Sequence, residues 1–452
     1  MTRVLIPSGA LGLGYDRDAL MAGIANKPDV IAIDGGSTDS GPSYLGHGMS
    51  KYSAASTKAE WRGLMQARAQ AGVPLIIGTA GTCGADQTVD WLFEITKEIA
   101  EELGQELKVA LLYSGQSAAT VLTALENGRV TALPAAPAIN EDIIKSCSNI
   151  VALAGAEQIQ AALNTGADII IAGRTTDTAI IAALPLMRGD HAGAVWHGAK
   201  VGECGAIATT QPGTGVIQLD FDATGFTIFP LAETARATPY TVSAHMLYEN
   251  TDPYILYEPG GHLDATRACY TALDSRTVRV EGSEWIPGAY TVKLEGARIA
   301  GYQSVCMAIL RERRYVENAR QWADDIVAQC CAKVEDRLSL PAEAFDIEIR
   351  LIGVDATLGA LESKTSTPHE VGVMGIITAQ SAELAREIGK MLNPYLLHHP
   401  LIEDEPMPTF AFPFSPAEMQ RGALYEFCLN HIMALDAPMD AFRLEVRETD
   451  HG

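Results

Sequence analysis

Two aspartates flank a Gly-Gly-Ser-Thr stretch in the segment Asp34-Gly-Gly-Ser-Thr-Asp39-Ser-Gly-Pro42. Glycine lets the backbone take positive φ and approach a ligand closely. Ser37 and Thr38 add hydroxyls beside Gly36, and the carboxylates of Asp34 and Asp39 are the groups that act as bases or hold a divalent metal. An ordinary strand-to-helix turn uses one Asp as a helix cap, so the second is surplus to folding. A second constellation is Gly173-Arg174-Thr-Thr-Asp177. An Arg at a strand end clamps a carboxylate or phosphate through two N–H groups. The competing reading is an internal ion pair between Arg174 and Asp177.

Two more glycine-rich turns carry weaker signals. Gly9-Ala-Leu-Gly12-Leu-Gly14 is GxxGxG rather than the dinucleotide pattern GxGxxG, so no NAD site is inferred. Backbone amides around Gly9 and Gly12 would suit a phosphate or carboxylate. Gly78-Thr79-Ala-Gly81-Thr-Cys83-Gly84 offers the same with hydroxyls and a thiol. Further along, Ser243-Ala-His245-Met-Leu-Tyr248-Glu249 places His and Glu four apart, on one face if the segment is helical. That pairing suits a metal site or a carboxylate-oriented base; a core histidine bonded to a carboxylate is the plainer alternative. Glu258, His262 and Asp264 add residues of the same types, and Glu203-Cys204 sets an acid and a thiol between glycines. Cys204 becomes a nucleophile or proton donor only if its pKa is lowered. GxSxG, Walker A and HExxH motifs are absent.

Four of these turns follow short apolar runs beginning at Val4, Val30, Leu75 and Ile169. Such runs read as buried strands, and parallel strands need helical crossovers. Their C-terminal loops gather on one edge of a sheet, where α/β proteins bind ligands. The turns near residues 9, 36, 81 and 175 are therefore expected to meet. Helices are expected from Asp16, over 54–72 and 88–104, and over AEQIQAALNTG with Gly166 as its cap; KVALLYSG and IVALAG read as further strands. A TIM barrel would need eight repeats, and about six are present before the rhythm stops. From Ala199 to Ile309 the segments alternate apolar and polar, as strands do. A helix over roughly 315–335, strands at FDIEIRLIGVD and HEVGVMGIITA, and a helix at SAELAREIGKML follow. The expected fold is α/β, a mainly parallel sheet with helices on both faces over 1–195. A smaller α+β domain is expected over 196–452, its tail packing back on the body.

The 452 residues carry a formal net charge of -23, against nucleic acid or anionic membrane as partners. No apolar run approaches a membrane span or a signal peptide. The eight cysteines contain no CxxC pair, as in a reduced, cytoplasmic protein. A homo-oligomer is expected on base rates.

The segments AIDGGSTDSGPSYLG, GTAGTCGAD, AGRTTDTA, GECGA, SAHMLYENTDPY and EPGGHLD, with the tail TFAFPFSPAEMQRGALYEFCLNH, resemble the acyclic terpene utilisation A (AtuA) family over most of the chain. The resemblance implies breakdown of branched acyclic acyl compounds, as free carboxylic acids or CoA thioesters. The expected activity is to make or break a C–C or C–O bond beside a carbonyl, as a lyase, hydratase or isomerase. Such chemistry needs a base, a group for the enolate oxygen and a carboxylate anchor. Asp39 is expected as base with Asp34 orienting its loop. Amides around Gly36 and Gly81 would take the oxyanion, Arg174 would anchor the carboxylate, and His245 held by Glu249 would be the second acid/base. A metal-assisted hydrolase, with a divalent metal among the acids, and a non-catalytic ligand-binding subunit are the alternatives.

Overall fold

The computed structural model describes residues 1–363 and 366–449. The chain forms two compact units, Met1–Arg298 with Phe427–Gly452, and Ile299–Glu426.

The first unit is built on a ten-stranded sheet. At its centre Thr2–Ile6, Val30–Asp34, Leu75–Gly78, Ile169–Ala172 and Lys108–Tyr113 lie side by side in that order, all parallel. These strands hold the four turns singled out above, and their shared direction puts all four turns at one edge. Side chains alternate between two faces, as strand geometry requires. Val4, Ile6, Val30 and Ile170 face one core with Ile159, Ile180 and Val195. Leu5, Ile31, Leu75 and Ile169 face the other with Leu20, Leu64 and Leu92. Helices therefore cover both faces. The helices Arg17–Ala25, Ala54–Ala71 and Asp86–Leu103 begin within two residues of their expected starts. Asp16 caps the first, accepting from the amides of Asp18 and Ala19.

The sheet is mixed rather than mainly parallel. Beyond Thr2–Ile6 it continues through Ile217–Phe221, Gly225–Pro230, Val278–Glu281 and Cys269–Ala272, and Arg443–Glu448 adds the opposite edge; all five of these pairings are antiparallel. After residue 202 the chain returns through hairpins, such as the turn closed by Asp222 and Gly225, and a hairpin enforces antiparallel pairing. The expected boundary at 195/196 falls inside the buried helix Ala192–Gly202. What changes there is strand direction, while Val195, Trp196, Phe221 and Val30 share one core. The strand Cys147–Ala152 stays out of the ten-stranded sheet and pairs antiparallel with residues 294–298 of the long strand Thr291–Leu310. The helix Ala156–Leu163 is capped by Asn164, with Gly166 in the left-handed region two residues on.

The second unit is α+β. Phe345–Ile352 and Val371–Ala379 pair antiparallel with each other, and the latter pairs with residues 302–310 of Thr291–Leu310. Phe345, Ile347, Ile349 and Leu351 turn inward with period two and pack with Trp322 and Ile326 of the helix Ala319–Leu338 and Ile388 and Leu392 of Ala382–His398. Among the described residues no helix is long and apolar enough to cross a membrane.

Candidate active site

The four turns converge, and Arg174 is what joins three of them. Its Nε donates to Glu295 Oε2 at 3.1 Å and one Nη2 bond runs to Glu295 Oε1 at 3.5 Å. Nη2 also donates to Thr38 Oγ1 at 3.3 Å, and Nη1 reaches Thr79 Oγ1 at 3.3 Å and the Thr175 carbonyl at 3.2 Å. A guanidinium has five N–H donors, and all five are directed at the protein itself. Arg174 is only 5% exposed. The expected role as anchor for a substrate carboxylate is therefore corrected: Arg174 has no donor to spare, and it positions the loops. Thr38 in turn donates to Glu295 Oε2 at 3.0 Å. Burial by itself would raise the Glu295 pKa, but Arg174 and then Lys293 overcome this and hold it at about 2. Asp177 completes the group, 3.6 Å from Arg174 Nη1 and 28% exposed.

The first turn joins through the backbone. The Leu11 amide donates to the Asp34 carbonyl at 2.8 Å, and a Cβ on Gly9 would lie 3.0 Å from the Cys204 Cα. Its anion-binding role is corrected too. The amides of Gly12 and Gly14 donate to Glu60 Oε2 at 2.8 and 3.2 Å, so the chain's own carboxylate fills the nest. The Gly36 amide is likewise engaged, by Asp34 Oδ2 at 3.3 Å, which removes it as an oxyanion donor. Gly81 is held at φ +64 with Thr88 packed against it. Thr79, also at positive φ, serves the Arg174 network. Ser37 Oγ accepts from the Asp39 amide and caps the short turn Thr38–Ser40. Asp34 is buried, with Oδ1 unpartnered among the described residues. Burial first, then the charge of Asp177, raises its pKa well above the usual carboxylate range. Asp39 is exposed, and its charge acts on Asp177 and Tyr248.

A second set of groups closes on Asp177 from the helix Ala192–Gly202 and the segments beyond it. Lys200 Nζ donates to Glu203 Oε1, both side chains being buried. Burial pushes Glu203 up to about 8 against the pull of Lys200, with Asp177 adding to the rise. Glu258 accepts from the Thr178 hydroxyl through Oε1, and Thr176 also bonds this carboxyl, while Oε2 makes no well-formed hydrogen bond among the described residues. Burial carries its pKa to about 7. The Cys204 thiol is raised by burial and by Glu203, so the lowered pKa that nucleophilic attack needs is not met by the protein alone. His245 is 3% exposed; the Lys200 backbone acts on its ring as an acceptor, and neither ring nitrogen makes a well-formed hydrogen bond among the described residues. Burial and the Lys200 charge lower its pKa to about 4, so the imidazole is neutral at pH 7. Glu203, Cys204 and His245 each present one ligand atom, and these three atoms lie within 4.8 Å of one another.

The expected His245–Glu249 couple does not form. The helix Pro239–His245 stops at His245, and the following turn bonds three residues back, Tyr248 N to the His245 carbonyl at 2.9 Å. Glu249 then takes φ +57. Four-residue spacing places side chains on one face only while the helix continues. Glu249 instead bonds Tyr248, whose ring stacks on His245 at 5.5 Å between centroids.

Sequence reasoning missed Glu295, Lys293 and Lys200. Glu295 lies in a segment that reads as a plain strand, and its single signal is a charged residue between apolar neighbours in VKLEGA. Lys200 sits three residues before Glu203 at the end of a helix that is otherwise almost wholly apolar and small.

The sequence profile of the family described as acyclic terpene utilisation family protein AtuA matches residues 59–401. Thr79, Arg174, Asp177, Cys204, His245 and Glu295 fall inside the match; the Asp34–Asp39 turn and the Phe-Pro-Phe-Ser-Pro tail segment fall outside it. No curated protein and no solved structure matches the chain.

Proposed function

The chain belongs to the AtuA family, and on that footing we propose that it is an enzyme acting on a small branched carboxylic acid or its CoA thioester. The reaction makes or breaks a C–C or C–O bond next to the carbonyl, in the lyase, hydratase or isomerase class. One observation carries the reading. The converging loops set a partly open carboxylate, Asp177, beside a buried ammonium, Lys200, and beside acids that keep their protons near neutral pH, Glu203 and Glu258. Acids and bases pushed apart by their surroundings are the pattern of proton-transfer sites.

In this mechanism Asp177 takes the proton α to the carbonyl. Burial first, then the charges of Asp39 and Glu249, raise its affinity for that proton against the pull of Arg174 and Lys200. Asp39, expected as the base itself, thus acts through its charge from the solvent side. The enolate oxygen develops against Lys200 and protonated Glu203, which replace the loop amides in that role. Glu258, protonated and hydrogen-bonded to Thr178, returns a proton to the product or leaving group. Asp34 keeps the Gly36 turn in place.

The test is α-proton exchange. The protein is incubated in D2O with a panel of branched acyl-CoA thioesters and the free acids, and deuterium uptake at the α-carbon is read by mass spectrometry. The expected result is uptake by the wild type and a loss of roughly 10²–10⁴-fold in Asp177→Asn. Binding of these compounds without exchange, equal in wild type and Asp177→Asn, would overturn the proposal in favour of a ligand-binding subunit.

A further inference from the structure

Glu203, Cys204 and His245 bring a carboxylate oxygen, a sulfur and an imidazole nitrogen within 4.8 Å of one another. His245 comes from another part of the chain than the adjacent Glu203 and Cys204. It is 3% exposed, and the Lys200 backbone is the one acceptor acting on its ring, which leaves a nitrogen without a partner among the described residues. A buried polar group without a partner is destabilising, and an unexplained one in a native structure points to a ligand or ion. Four carboxyl groups, Asp177, Glu203, Glu249 and Glu258, act on one another or on Cys204, with Arg174 and Lys200 as the cations among them. Lys200 donates to Oε1 of Glu203, and a carboxylate has two oxygens with which to accept from more than one cation.

We propose that Glu203, Cys204 and His245 bind a borderline-soft divalent ion of the zinc or cobalt(II) type. Sulfur and imidazole together select such ions over magnesium or calcium, which take oxygen ligands. Three protein ligands leave a fourth position open, as in catalytic rather than structural sites. The imidazole lone pair would go to the ion, and the Cys204 thiol would lose its proton on binding. Near Asp177, the bound ion would take the place of the Glu203 proton and polarise the same carbonyl oxygen that faces Lys200; this last step alone rests on the function proposed above.

The experiment is a cobalt(II) titration of the full chain after dialysis against a chelator. One cobalt ion is expected to bind with a sulfur-to-cobalt charge-transfer band in the near ultraviolet. Cys204→Ser should lose that band, while Cys269→Ser, at an exposed thiol, should keep it. His245→Ala should weaken binding roughly tenfold or more. Thermal melts of each variant show that the fold persists. Persistence of the band in Cys204→Ser, or equal cobalt affinity in wild type and His245→Ala, would overturn the site. α-Proton exchange without cobalt binding sinks the ion and leaves the enzyme; cobalt binding without exchange does the reverse.

Discussion

Arg174 and Glu295, 121 residues apart in the chain, form a buried two-bond ion pair at the point where three strand-end turns meet. The pair turns a set of adjacent loops into one rigid floor, because the remaining N–H groups of Arg174 hold Thr38, Thr79 and Thr175. Removing one partner of such a pair strands the other charge in the interior. Glu295→Gln and Arg174→Gln should each destabilise the first unit by about 3–5 kcal/mol, read as a lowered denaturant midpoint at pH 7. Arg174→Lys should rescue little, since an ammonium cannot reproduce the planar fork.

The same pair sets an acid limit. Glu295 sits at about 2 in the fold against an ordinary 4.5. A lowered carboxylate contributes stability that is full above its unfolded value and lost as pH falls towards its folded value. The difference in stability between wild type and Glu295→Gln should therefore shrink as pH drops from 5 to 3 (about the window the two values bracket). A difference that stays constant over that range would refute the linkage.

Glu258 has the opposite sign. Its folded pKa of about 7 lies above the ordinary 4.5. The folded state then holds the proton more tightly than the unfolded chain, and stability declines as pH rises from about 4.5 to about 7 and stays lost above. Glu258→Gln should be close to neutral at low pH and should stabilise the protein by up to about 3 kcal/mol at pH 8. Melting temperatures of the two proteins across that range decide it. No gain at pH 8 would mean that Glu258 is not an unsatisfied charge.

Gly84 is a further constraint on Arg174. It stands at φ +63, and a Cβ there would overlap the Arg174 backbone nitrogen. Gly84→Ala should cost about 2–4 kcal/mol and should lower α-proton exchange per folded molecule. Unchanged stability would show that the two loops are not in the contact described.

Glu60 replaces an external anion at the Gly9–Gly14 turn. Glu60→Ala should leave the Gly12 and Gly14 amides without their acceptor and destabilise by about 1–3 kcal/mol. Acetate or phosphate should then restore part of the lost melting temperature in the variant and none in the wild type.

The central strands were readable because each is a continuous β-branched run between glycine turns, a pattern that local sterics and burial enforce. Asp16, the turns at 36 and 81, and the helix starts followed for the same local reason. The mixed character of the sheet was not readable, since Ile217–Phe221 and Gly225–Pro230 alternate as any half-buried hairpin does, and alternation does not name a partner strand. His245 and Glu249 show the limit of spacing: the rule of four holds only inside a helix, and the helix ends at the first of the two.

The sequence alone determined that glycine-and-aspartate turns end parallel strands, and parallel strands must put those turns on one edge. It also placed the chain in its family. The tertiary structure decided which donors and acceptors remain free. Arg174 and the Gly12 amide read as ligand-binding groups and are consumed by Glu295 and Glu60, while His245 keeps a nitrogen without a partner among the described residues. Hydrogen bonding and charge pairing act over a few ångströms of space, whereas the partners lie tens to more than a hundred residues apart in the chain, so only folding reveals which groups are already spoken for.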